Sequence, residues 1–318
     1  MKSIKSESQK RLSLLISKLK GEYPKEDAFC KKICVYVCGS LGRLEMAENS
    51  DLDLFFIIMN PDRQDKEVFC SNLDIYNFFA KLHNIHKELG YKDPSKKGHY
   101  WDFISQEKLL DIGSREEDFN NSFTARMLLL LESKPLYNKK AYNKLVKIII
   151  DKYFVDYKGH SNTFYPLFLM NDILRYWYTL TLNFEYRRDN KDTENDKNWK
   201  RLKLKYARLV TCFSMIACLY KKDITPKYVI DCINMTPFER LHMISEHISD
   251  AKPIIEEIEK KYKWFLDLKK EGPEWWDDVS NKKSAMENAE NFHQTFVHEF
   301  MRTLSQTNPE LHKRADSY

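Results

Sequence analysis

The chain has 318 residues, 42% hydrophobic and 14% aromatic, which is enough apolar material for a substantial core in one large domain or two ordinary ones, and excludes a disordered chain. Its formal net charge of +5, from 52 basic and 47 acidic residues, suits a local patch for polyphosphate and argues against a sequence-specific nucleic-acid binder. No stretch approaches the ~20 apolar residues of a membrane span, so no membrane partner is expected, and seven cysteines without a secretory leader predict free thiols in a reducing cytoplasm.

Residues 6–20 have an amphipathic helical pattern. Lys31 to Cys38 (KKICVYVC) is rich in β-branched and aromatic residues and stops at Gly39, which predicts a strand. Gly39 to Ser50 reads as an irregular turn, and Asp51 to Met59 (DLDLFFIIM) as a second strand ended by Asn60-Pro61. Helical periodicity follows over 65–89, with Gly90 as its C-terminal cap. His99 to Ile104 predicts a third strand. Beyond about residue 120 the pattern is helical, clearest at Thr124–Ser133, Tyr142–Tyr153, Phe168–Arg187, Trp199–Tyr220 and Ile254–Lys270. Arg187 to Lys200, almost all charged or amide, reads as an exposed loop between two helices. The fold class is therefore α+β: a small mixed sheet with flanking helices in 1–134, then an all-helical domain in 135–318, divided where Lys134-Pro135 interrupts the pattern.

The segment Val37 to Ile57 (VCGSLGRLEMAENSDLDLFFI) carries the chemistry. Alternate residues of a strand share a face, so Asp51 and Asp53 present neighbouring carboxylates while Leu52 and Leu54 turn the other way. Two adjacent anions repel. A hard divalent cation, Mg²⁺ or Mn²⁺, makes the arrangement favourable. Gly39 allows backbone to approach a phosphate, Ser40 adds a hydroxyl donor, and Arg43 supplies positive charge to the same phosphate. A nucleoside triphosphate then lies with its phosphates on Gly39-Ser40 and the metal between phosphate and aspartate. A lone D-x-D or Gly-Ser is a weak signal; together, each joined to a hydrophobic strand, they are much more specific.

This arrangement of an apolar strand, Gly-Ser-x-x-Arg, Ser-Asp-x-Asp and a second apolar strand resembles the DNA polymerase β nucleotidyltransferase superfamily. The form Gly39-Ser40-Leu41-Gly42-Arg43-Leu44-Glu45 is similar to the uridylyltransferase domain of the bacterial nitrogen sensor and its relatives. Asp111-Ile112-Gly113 and Phe123-Thr124-Ala125-Arg126-Met127-Leu128 resemble the end of that domain. Asn171 to Trp177 and Lys203 to Arg208 resemble the helical half of related bacterial nucleotidyltransferases, so the likeness covers about residues 30–220. The resemblance implies a nucleotidyltransferase sheet and two-metal transfer of a nucleoside monophosphate from an NTP to an acceptor hydroxyl, on protein, RNA, a small molecule or another nucleotide. It also implies a third metal-binding carboxylate on a later strand. Asp102 is the candidate, because His99–Ile104 is the next predicted strand; Glu116, Glu117 and Asp118 compete with it.

In the helical half, Arg201, Lys205 and Arg208 fall at i, i+4 and i+7, a stripe in which Lys205 and Arg208 are candidates to grip the β- and γ-phosphates. For any single one of them a solvated helix face following a charged loop accounts for the residue slightly better. Asp172 and Arg175 read either as a functional pair or as a buried structural salt bridge. Cys30, Cys34 and Cys38 are spaced by four, but a strand makes thiolates at that interval converge poorly, so they read as small core residues. His293 and His298 lack partners at a metal-binding interval. The alternative to an enzyme is a non-catalytic nucleotide-binding or protein-interaction module with a decayed metal site; a toxin acting through nucleotidyl transfer is a third reading.

Overall fold

Ile33–Cys38 (ICVYVC) forms β1, a strand whose β-branched and aromatic residues are buried on both faces. It is one of the two inner strands of a four-stranded mixed sheet in a computed structural model that describes residues 2–23, 31–47, 50–59, 71–91, 101–114, 121–187, 193–271 and 273–315. The chain divides into two units, Met1–Lys152 and Tyr153–Tyr318.

In the first unit the helix α1 (Lys2–Glu22) precedes β1, and a single helical turn, α2 (Gly39–Gly42), follows it. β2 (Asp53–Ile58) then runs antiparallel to β1, with Cys38 opposite Asp53 and Tyr36 opposite Phe55. The next helix, α3 (Asn72–Glu88), opens on a reciprocal cap in which Ser71 Oγ accepts from the Asp74 amide and Asp74 accepts from the Ser71 amide. Gly90, at φ +69°, terminates it as expected. After this crossover β3 (Phe103–Ser105) lies parallel to β2, with Phe56 level with Phe103. A short helix α4 (Gln106–Leu110) and α5 (Ser122–Glu132) lead to β4 (Lys134–Tyr137), antiparallel to β1 on the opposite edge, so the strand order is β3-β2-β1-β4.

One sheet face, through Val35, Val37, Leu54 and Phe56, packs on Leu15 and Leu19 of α1 and on Phe78 and Leu82 of α3. On the other face Tyr36 stacks on Phe55 at 5.5 Å and donates its hydroxyl proton to the Ala125 carbonyl of α5 at 2.9 Å. Lys134-Pro135, expected to mark the domain boundary, is the start of an edge strand: Pro135 has no N–H to offer the ladder, and it sits where the β1–β4 register shifts. The helix α6 (Lys139–Tyr153) follows it, and the two units divide at Lys152/Tyr153.

The described residues of the second unit form helices and no strand: a short turn of helix, Tyr157–His160, comes first, then α7 (Leu167–Arg187). The charged stretch expected as one loop is largely helix: Thr193 caps α8 (Glu194–Lys203) reciprocally with Asp196. The expected helix from Trp199 to Tyr220 is interrupted by a π-helical turn, Leu204–Arg208, before α9 (Leu209–Leu219). Four more helices, α10 (Pro226–Asn234), α11 (Pro237–His247), α12 (Lys252–Leu268) and α13 (Val279–His293), are followed by a second π segment, Gln294–Phe300, and by α14 (Met301–Thr307). Tyr206 of the first π turn is stacked on Phe265 at 4.8 Å and Phe292 at 4.2 Å, at the centre of this unit's aromatic core. No described helix is long and apolar enough to cross a membrane.

Candidate functional site

The end of β1 and the start of β2 are held opposite each other, and the turn after β1 is shaped by two glycines. Gly39 takes φ +65°, the left-handed region that L side chains rarely adopt. A Cβ on it would stand 2.6 Å from Oδ2 of Asp53. The Asp53 carboxylate therefore lies against the backbone of the Gly39-Ser40 turn, and the close approach exists because residue 39 has no side chain. The Arg43 and Glu45 amides then bond back to the Gly39 and Ser40 carbonyls at 3.0 and 2.7 Å. Gly42 answers a different need: a Cβ there would lie 2.0 Å from the Glu132 carbonyl oxygen, so the backbone of α5 presses directly on the turn.

Asp51 and Asp53 are both exposed, while Leu52 and Leu54 between and after them are buried. The alternation expected of the D-x-D segment is thus present, although β2 begins at Asp53 and Asp51 precedes it. Just before Asp51, the Ala47 amide donates to Ser50 Oγ at 3.0 Å and the Ser50 amide to the Ala47 carbonyl at 3.1 Å, closing the turn that delivers the chain to the strand.

Arg43 needs correction. Expected to meet phosphate, it is buried, with Nε donating to Glu45 Oε2 at 2.9 Å and Nη1 to Glu132 Oε2. Burial explains the change of role. A guanidinium removed from water requires paired carboxylates, and its fork spans two of them. Arg43 therefore ties the turn to α5. Glu45 and Glu132 are positioning residues that the sequence reading did not single out; for Glu45 the signal was its place in the Gly-x-x-Gly-Arg-x-Glu run.

Asp102 lies immediately before β3, exposed, with Oδ1 accepting from the Phe103 amide at 2.8 Å. Continuing the Phe56–Phe103 register by one residue sets Asp102 level with Phe55, on the sheet face shared with Asp53. Strand spacings then put its Cα about 8 Å from that of Asp53. Asp102 shares the face without joining a cluster: among the described residues no three His, Cys, Asp or Glu side chains are gathered to hold a metal ion. Its competitors Glu116, Glu117 and Asp118 lie outside the described residues. Two hard carboxylates, one of them against a glycine turn, fit as partial ligands of Mg²⁺.

The basic stripe of the second unit does not keep its expected geometry. The π turn at Leu204–Arg208 breaks the 3.6-residue period on which the i, i+4, i+7 spacing depended. Lys205 is paired with Glu290 of α13, and Arg208 closes the π turn half-buried. Arg201 lies over the Phe184 ring at 5.9 Å. Asp172 is buried and accepts the Tyr153 hydroxyl proton at 2.5 Å, while Arg175, with Nη1 3.5 Å from Oδ1, keeps 37% of its side chain exposed, so the ion pair is not the buried one expected. Cys34 and Cys38 are buried in β1 and form no disulfide, and burial pushes the Cys34 thiol well above its usual range; Cys30 lies outside the described residues. Compared with known protein families and with curated proteins, the chain matches no family model and no curated relative.

Proposed function

We propose that the first unit binds a magnesium–nucleoside triphosphate complex and transfers the nucleoside monophosphate to an acceptor hydroxyl, releasing pyrophosphate. The observation that carries this reading is the Asp53 carboxylate, with Oδ2 2.6 Å from the position a Cβ on Gly39 would take. Acid and phosphate turn are thereby adjacent, as transfer from a triphosphate requires. Asp51 and Asp53 would hold the ion, Gly39 would let a phosphate oxygen approach the backbone, and Ser40 would donate its hydroxyl proton to that phosphate. Arg43, Glu45 and Glu132 keep the turn in place without touching substrate. Bound there, Mg²⁺ would supply the positive charge that the departing pyrophosphate needs.

The test is incubation of the protein with each NTP labelled at the α-phosphate, Mg²⁺ or Mn²⁺ and cell lysate, beside Asp51→Ala/Asp53→Ala. Label should pass to protein, RNA or a small molecule with the unchanged protein alone. A second reading, a nucleotide-binding module that no longer catalyses transfer, is favoured by the uncollected third carboxylate: Asp102 is engaged with its own neighbouring amide. Nucleotide binding without label transfer in any fraction would select that reading.

A further inference from the structure

The helix α7 is apolar on two faces. One buries Leu169, Met170, Ile173 and Tyr176 in the second unit. With each residue turning about 100°, the opposite face gathers Leu174, Arg175, Tyr178, Leu182, Glu185 and Tyr186 within an arc of about 120°. There Tyr178, Leu182 and Tyr186 are 62%, 69% and 80% exposed. At roughly 200 Å² per tyrosine, the two rings alone leave about 300 Å² uncovered. With Leu182 the patch reaches about 400 Å², a size that marks an interaction site rather than scattered surface residues. A helix that is apolar beyond a single stripe belongs between two packed layers.

The order of residues on this face says what covers it. Arg175, Tyr178, Leu182 and Glu185 are spaced three, four and three, the rhythm of a helix–helix seam. They are also symmetric about Leu180: Tyr178 and Leu182 stand two residues either side of it, Arg175 and Glu185 five, Leu174 and Tyr186 six. We infer that α7 joins two copies of this chain, packed antiparallel about a two-fold axis level with Leu180. Tyr178 of each copy then meets Leu182 of the other, and Arg175 meets Glu185, each contact made twice as an isologous interface requires. A parallel pair would set Arg175 against Arg175 and Glu185 against Glu185, which repel. One charge of each sign on the face also fits a second copy better than an anionic surface. Arg175 Nη1 stands 3.5 Å from Asp172 Oδ1, and a guanidinium with five N–H donors can serve Glu185 as well. The two copies would bury about 800 Å² through Tyr178, Leu182 and Tyr186, and about 1,000 Å² with Leu174, Arg175 and Glu185, which is the lower end of specific interfaces and makes the dimer a reversible one.

Sedimentation equilibrium of the full chain over a series of concentrations is the test, and it should fit a monomer–dimer equilibrium. Leu182→Glu places carboxylates in the apolar centre of the seam. Glu185→Arg sets guanidinium against guanidinium in the antiparallel pair, whereas in a parallel pair it merely exchanges one repulsion for another. Each should weaken association by about ten-fold or more. Both positions are exposed, and circular dichroism confirms that the variants are folded. The contact lies in the second unit, so Asp51→Asn/Asp53→Asn should associate as the natural chain does, whatever becomes of the nucleotidyl-transfer reading. A natural chain that stays monomeric at every concentration would overturn the proposal and leave the face to another partner. So would a dimer that Leu182→Glu leaves within two-fold, since its contact would lie elsewhere. A dimer weakened by Leu182→Glu but not by Glu185→Arg would contradict the antiparallel arrangement.

Discussion

Replacing Gly39 by alanine perturbs two features of the turn that the structure allows to be separated. The backbone there sits at φ +65°, which an alanine tolerates at a cost of about 1–2 kcal/mol. The new methyl would also stand 2.6 Å from Asp53 Oδ2, closer than real Cβ contacts. That neighbour is the end of an exposed side chain, so a change of rotamer relieves the clash, but it takes the carboxylate out of the position in which the proposed site needs it. Gly42→Ala differs in kind: its methyl would meet the Glu132 carbonyl oxygen at 2.0 Å, and backbone must shift on both sides. Thermal unfolding followed by circular dichroism should therefore show a loss of about 1–2 kcal/mol for Gly39→Ala, against about 3 kcal/mol or more for Gly42→Ala. Calorimetric titration with Mg²⁺ and a non-hydrolysable NTP should show Gly39→Ala weakened by about ten-fold or more, equivalent to ~1.4 kcal/mol of binding. The reasoning fails if Gly39→Ala binds nucleotide as well as the natural chain, or if it destabilises more than Gly42→Ala.

Arg43→Ala removes the cation from the two buried carboxylates Glu45 and Glu132 and should cost about 3–5 kcal/mol, read as a fall in the urea midpoint. Tyr153→Phe removes the 2.5 Å hydrogen bond to buried Asp172 and should cost about 1.5–3 kcal/mol in the same assay. Asp278 caps α13 by accepting from the Ser280 hydroxyl and from the Ser280 and Asn281 amides, and these bonds, the hydroxyl's first, hold its pKa below the ordinary 3.8. A depressed folded-state pKa means that its contribution is fully present above the unfolded value of 3.8 and fades as pH falls through the folded one. Asp278→Ala should accordingly lower the urea midpoint at pH 7 and converge on the natural chain at more acid pH.

Much of the first unit was legible because its signals are local. The β-branched run of β1 and Gly90 each act within a few residues, and each stands where its chemistry predicts. The alternation of Asp51 and Asp53 with Leu52 and Leu54 was readable for the same reason: period two is a property of the strand alone. Arg43 was misjudged because its role depends on Glu132, 89 residues away, and on burial that no local pattern announces. Pro135 read as a boundary because Lys134-Pro135 interrupts the pattern; in the fold it lies in an edge strand, which tolerates proline, and edge status is set by the whole sheet. In the second unit the charge-rich stretch masked the Thr193-x-x-Asp196 cap, which was visible in the sequence. The π turns were not. They add a residue to a helix without a local signature, and with it they redirect Lys205 and bring His293 and His298 together.

Crystals grown with Mn²⁺ and a non-hydrolysable NTP, and measured at the manganese absorption edge, test the nucleotide site most directly. An anomalous peak about 2.1 Å from carboxylate oxygens of both Asp51 and Asp53 is expected, with triphosphate density on the Gly39-Ser40 turn. Manganese bound elsewhere, or a nucleotide seated away from that turn, would contradict the proposed site.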